Sequence, residues 1–274
     1  MNPGLHKFAL LLAVVAVAAI VSGALITTSQ VVARQPQSTG AAVLDVGLHR
    51  GLAIALSVAT LALAVWMSLG AAVGLRVVAW ASVATVIADA AIAWAPALSP
   101  SAGVYHALLA HLFFALTVAI AAGTSAGWNR PPELVEGRHL ALLRPLAFAT
   151  PAVVFGQIAL GAIYRHDLSS VMPHMGLAMV VAFVALIVSA LILQNYKRPA
   201  SLRRAATALI SLVLTQVCLG VGAFLILILN AAGTIYFVLT TVSHVLVGAS
   251  TLAASVVMAM QVWRSVPSKL TSAK

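Results

Sequence analysis

Charge is what this sequence has least of. Only 7% of its 274 residues are Asp, Glu, Lys or Arg, against 62% apolar residues, and the mean hydropathy is +1.09. A water-soluble domain could not cover its surface from that stock, whereas lipid removes the need. Acid is scarcer still: five Asp and Glu stand against fifteen Lys and Arg, a net charge of +10. The bases lie in the gaps between apolar runs, so they read as a topology signal and exclude a phosphate-binding stripe for nucleic acid. Cysteine occurs once, at Cys218 inside an apolar run. That excludes an intramolecular disulfide and leaves a small buried side chain as the reading. Alternating hydrophobicity is absent too. The apolar runs are continuous, and in a bilayer, where each backbone group needs an internal partner, such runs are helices rather than barrel strands.

What is present is a series of eight apolar segments: Phe8–Val32, Gly47–Leu69, Arg76–Ala95, Val104–Ser125, Arg144–Arg165, Met172–Gln194, Ala205–Asn230 and Ile235–Trp263. Each reaches the ~20 residues that cross ~30 Å of hydrocarbon. The first is too long for the ~7–15-residue core of a cleaved signal, so it reads as a retained helix. With the N-terminus in the cytoplasm, twelve of the fifteen basic residues fall inside, leaving Arg34, Arg50 and Arg165 outside. This positive-inside pattern puts both termini in the cytoplasm and the chain in the inner membrane.

The stretch Trp128–Pro145, with Pro131-Pro132 and most of the acids and bases of the middle of the chain, separates two alike halves. The expected domains are a four-helix bundle over 1–128, a cytoplasmic linker over 129–144 and a second bundle over 145–274. His49-Arg-Gly-Leu-Ala53 opens the second segment, and His174-Met-Gly-Leu-Ala178 opens the sixth, 125 residues later. His111 and His244 lie on the fourth and eighth segments, and the fifth and seventh carry Gln157-Ile-Ala-Leu-Gly161 and Gln216-Val-Cys-Leu-Gly220. An even number of spans per half makes a parallel repeat about an axis along the membrane normal.

Ionisable groups inside membrane spans are rare and usually functional, although a lone histidine can simply bond a neighbouring backbone. Four histidines in matching places, two per half, favour a ligand-binding role. All four fall in the outer half of the membrane, His111 and His244 roughly 12–14 Å along their helices from the outer end. A structural zinc would want four ligands, and each half offers two. Haem iron needs two axial ligands because the macrocycle supplies the rest. Small residues near the histidines (Gly51, Ala53, Gly176, Ala178, Gly248, Ala249) leave room for a porphyrin. Arg50 and Arg165 suit its propionates, with interfacial snorkelling as the plainer alternative for each. His106 lies five residues before His111 and so on another face; being nearer water, it is passed over in favour of His111. Asp89, in the third segment, either relays protons or balances charge at the N-terminal site, or bonds Ser82, Thr85 or a histidine.

Two like halves, a His on each even segment, Gln-x-x-Leu-Gly before Arg165 and Pro173-His174 together resemble the haem A synthase family of cytochrome oxidase assembly proteins. The resemblance covers most of the chain and is best from Gln157 to His174. It implies a resident haem b between His174 and His244, with Gln157 beside it. It also implies haem O as substrate between His49 and His111, oxidised to haem A at a porphyrin methyl with oxygen from water. The implied partners are a haem O synthase, a terminal oxidase, an electron acceptor and membrane lipid. The sequence departs from the family where a glutamate usually precedes the first histidine by three residues: here stands Val46, with Asp45 next to it. Asp45, four residues before His49, is the candidate catalytic acid, or else a helix N-cap. The cysteine pair that many members carry in the first outer loop is also missing. Two rivals stay open: a non-catalytic or differently catalytic diheme membrane protein, which Val46 favours, and a small-solute transporter, which leaves the histidines unaccounted for.

Overall fold

The computed structural model describes residues 3–33, 46–94, 101–137 and 139–267. Among these the chain is all-helical: α1 Pro3–Ala33, α2 Val46–Ser68, α3 Val73–Trp94, α4 Ala102–Gly123, α5 Leu140–Arg165, α6 Met172–Asn195, α7 Ala200–Ile228 and α8 Ile235–Ser265. All eight are long and apolar enough to cross a membrane. The expected segments reappear with their edges moved by up to five residues. The shifts are largest at the starts of α1, α5 and α7, because backbone hydrogen bonding runs on through basic turns such as Arg203-Arg204 that hydropathy leaves out. The linker accordingly shifts five residues toward the N-terminus, to 124–139, and the expected linker residues 140–144 belong to α5.

Packing follows chain order. α1 touches α2 and α4, α2 touches α3, and α3 touches α4; α5, α6, α7 and α8 repeat the same four pairings. Each half thus closes a ring of four helices. The rings meet through α1 with α8, α4 with α5, and α4 with α8. In hydrocarbon, close contact rather than water exclusion holds helices together, and small side chains permit it. Ala249 and Ala253 of α8 accordingly lie in one buried cluster with Phe113, Phe114 and Ile120 of α4 and with Ala13 and Ala16 of α1. Buried hydroxyls such as Thr28, Thr60 and Thr251 bond carbonyls one turn back in their own helices, so they cost the bundle no unsatisfied group.

Large apolar side chains cover the outside, among them Val58, Phe183, Leu186 and Leu239, as a lipid-facing surface requires. Cys218 is among these exposed residues of α7, not buried as its apolar surroundings implied. The connection between the rings is pinned to the end of α8. Val135 N–H donates to Ser265 O at 2.8 Å, and Arg264 donates to the carbonyls of Gly127 and Arg130 while its guanidinium lies 5.0 Å from the Trp128 ring centre.

Candidate functional site

Because successive helices alternate in direction, the starts of α2, α4 and α6 meet the ends of α1, α3 and α5 at one end of the bundle. The histidines gather there in two facing pairs. In the C-terminal ring His174 of α6 faces His244 of α8, ring centres 6.1 Å apart and planes at 75°. In the N-terminal ring His49 of α2 faces a histidine of α4 at the same 6.1 Å, planes at 84°. That histidine is His106.

The expected partner, His111, is used otherwise. It is buried, and its Nδ1 bonds the carbonyl of Ala107 one turn back at 2.7 Å. Five residues is about one and a half turns, so only one of the two can face α2, and the helix turns His106 there. Depth misled the sequence argument; the better signal was Asp89. An acid in a membrane helix needs a partner, and Asp89 Oδ1 lies 2.8 Å from His106 Nδ1, a close contact somewhat off a regular hydrogen-bond line.

Glycines on the odd helices make the cradles. A Cβ on Gly161 would stand 3.0 Å from His174 Cε1, one on Gly220 would stand 3.1 Å from His244 Cε1, and one on Gly23 would stand 3.2 Å from His49 Cε1. The imidazoles therefore rest against bare backbone. Gly51 and Gly176, expected to give this room, face open space instead. In Gln157–Gly161 and Gln216–Gly220 the two residues are one turn apart and share a face, so glycine admits the ring and glutamine addresses it. Gln157 Nε2 donates to the His174 carbonyl at 2.9 Å, while His174 Nδ1 lies 3.2 Å from the Gln157 carbonyl. Gln216 Nε2 lies 3.2 Å from His244 Nε2. Across the bundle, Ser22 Oγ donates to the Ala19 carbonyl at 2.8 Å, which commits its one proton. At 2.7 Å from His49 Nδ1 it must therefore accept, so His49 is protonated on Nδ1 and keeps its lone pair on Nε2.

The remaining candidates divide. Arg165 crosses to the other ring, donating to the Ala24 carbonyl at 2.8 Å and to Thr27 and Thr28 of α1. It bolts the halves together there rather than standing free for a propionate. His166 caps α5 and fills the space over Gly103 at the start of α4. Burial, and then the neighbouring Arg165, hold its pKa below the usual imidazole value, which favours the neutral ring. Arg50 is exposed at the start of α2, beside His49. Asp45 lies outside the described residues.

The donor set fits haem better than a bare metal ion. Metal–imidazole bonds of ~2.0–2.1 Å put the ring centres of two imidazoles on one ion roughly 6 Å apart. Among the described residues no group of three His, Cys, Asp or Glu could hold a metal, so an ion here would need its equatorial ligands from elsewhere. Three buried polar atoms around the C-terminal pair, Gln157 Oε1, Gln216 Oε1 and His244 Nδ1, have no hydrogen-bond partner. Such orphans are costly in an apolar interior and are free to take a polar or coordinating partner. A scan of protein-family models finds none that matches this chain, and no curated protein matches it.

Proposed function

We propose that this multi-pass membrane protein is a two-site haem oxidoreductase acting as the haem A synthase family does. In this reading haem b resides between His174 and His244, and haem O is held as substrate between His49 and His106. The observation that carries the reading is the recurrence of two facing histidines at one separation in both rings, three of the four backed by glycine on an odd helix.

When bound, haem b supplies reversible one-electron chemistry. The chain does the rest. Gln157 and the Gln157 carbonyl orient His174, Gly220 seats His244, and Ser22 sets the tautomer of His49. At the substrate, a porphyrin methyl and one water become a formyl group, releasing four protons and four electrons to a one-electron acceptor at the membrane. The distribution of basic residues supports a topology with both termini in the cytoplasm, in an inner membrane, and both pairs near the outer face. Arg50 is the exposed cation positioned beside His49 for a propionate there. A haem O synthase supplies the substrate and a terminal oxidase consumes the product.

A diheme electron carrier is the second reading. It is favoured by Val46, the first residue of α2, which stands where the family usually has its glutamate. Co-expression with a haem O synthase, followed by haem extraction and mass analysis, separates the two. Hydroxylated and formyl haem, lost in His49→Ala and His106→Ala, is the outcome expected of the enzyme. Two bound haems with no oxidised product would favour the carrier, and a preparation with no Soret band would remove both.

A further inference from the structure

The two rings put different chemistry behind equivalent histidines. α7 presents Gln216 to His244 of α8; α3, its counterpart in the packing order, presents Asp89 to His106 of α4. The side chains of Asp89 and His106 are 17% and 35% exposed. Ser82 and Thr85, the other polar residues of that helix stretch, bond carbonyls of their own helix. A carboxylate kept in such a place points to a dedicated partner.

From this difference we infer that Asp89 is the positioning residue of the N-terminal pair, fixing His106 with its proton on Nδ1 and making it the stronger iron donor. The iron held there then has the lower reduction potential of the two. The inference rests on the haem reading above. An ionised carboxylate only accepts hydrogen bonds, so it selects the ring nitrogen carrying the proton and leaves Nε2 its lone pair. A carboxylate behind a ligating histidine raises its basicity, and a negative charge near the iron favours the oxidised ion. The Gln216 amide does neither: its N–H addresses a ring lone pair.

Redox titration of haem-loaded protein, with ¹⁵N NMR of histidine-labelled protein for the tautomer, tests this. Wild type is expected to show two potentials. Asp89→Asn should raise the lower one, leave the other in place, and weaken the Nδ1–H signal of His106. Gln216→Glu, of nearly the same shape as the native residue, should lower the higher potential. Asp89→Glu keeps the charge and should keep two separated potentials, which carries the test should Asp89→Asn fail to fold. Two haems whose potentials coincide, or do not respond to Asp89→Asn or Gln216→Glu, would overturn this inference and leave the haem reading standing. Absence of a Soret band would remove the haem reading itself, and this inference with it.

Discussion

The two rings share a packing order and the 6.1 Å separation of their histidines, yet they secure those histidines by different means. The C-terminal ring uses one device twice, a Gln–Gly pair one turn apart whose residues carry no charge. The N-terminal ring uses Ser22 with Gly23 for one imidazole and the carboxylate of Asp89 for the other. On the proposed reading, a resident cofactor would take the uncharged, amide-lined seat, and a substrate that is bound and released while electrons leave it would take the one where a charge sets donor strength. Repetition fixes the scaffold, and departures from repetition carry the specialisation.

Several substitutions sharpen or break this contrast. The largest effect is expected from the histidines themselves. His174→Ala or His244→Ala should remove the C-terminal haem and leave the N-terminal pair competent, read by absorbance and extracted haem per chain; loss of both haems together would contradict independent sites. Next comes Gln157→Ala, expected to weaken haem retention ~10–100-fold, as loss of an outer partner of a ligating histidine does. Gly161→Ala and Gly220→Ala force a Cβ against an imidazole and should cost ~1–3 kcal/mol at that site. Measured by haem-loss rate, their effect should exceed that of Gly51→Ala and Gly176→Ala, which meet open space. Arg165→Ala removes charged hydrogen bonds between the rings and should lower stability by ~1.5–3 kcal/mol in detergent unfolding. The smallest effect is expected at the two exposed glycines, within about 1 kcal/mol in stability, where alanine only improves helix propensity.

The eight helices were legible because membrane spans announce themselves by length and continuous hydrophobicity, and the Gln–Gly repeats marked the odd helices of the C-terminal ring. His49, His174 and His244 were legible from repetition. His106 was not, because comparing segments by depth aligned His111 with His244, whereas the ring turned toward α2 is set by helical phase. The cradle glycines were misassigned for a related reason: proximity in sequence to a histidine made Gly51 and Gly176 attractive. The contacting glycines come from neighbouring helices that only tertiary packing brings near. Gly23 had no motif to reveal it. Arg165 read as a free cation since nothing in the sequence shows that its helix end abuts Thr27 and Thr28, 138 and 137 residues away.

The pairing itself is tested most directly by comparing His106→Ala with His111→Ala in purified, haem-loaded protein. Haem is counted per chain, and low-spin bis-histidine signals are recorded by electron paramagnetic resonance. The expected result is that His106→Ala loses the N-terminal signal and keeps the C-terminal one. His111→Ala should keep both and lose only ~1–3 kcal/mol of stability for its vacated buried place. The reverse, His111→Ala losing the signal while His106→Ala retains it, would contradict the facing of His49 and His106 as the N-terminal site.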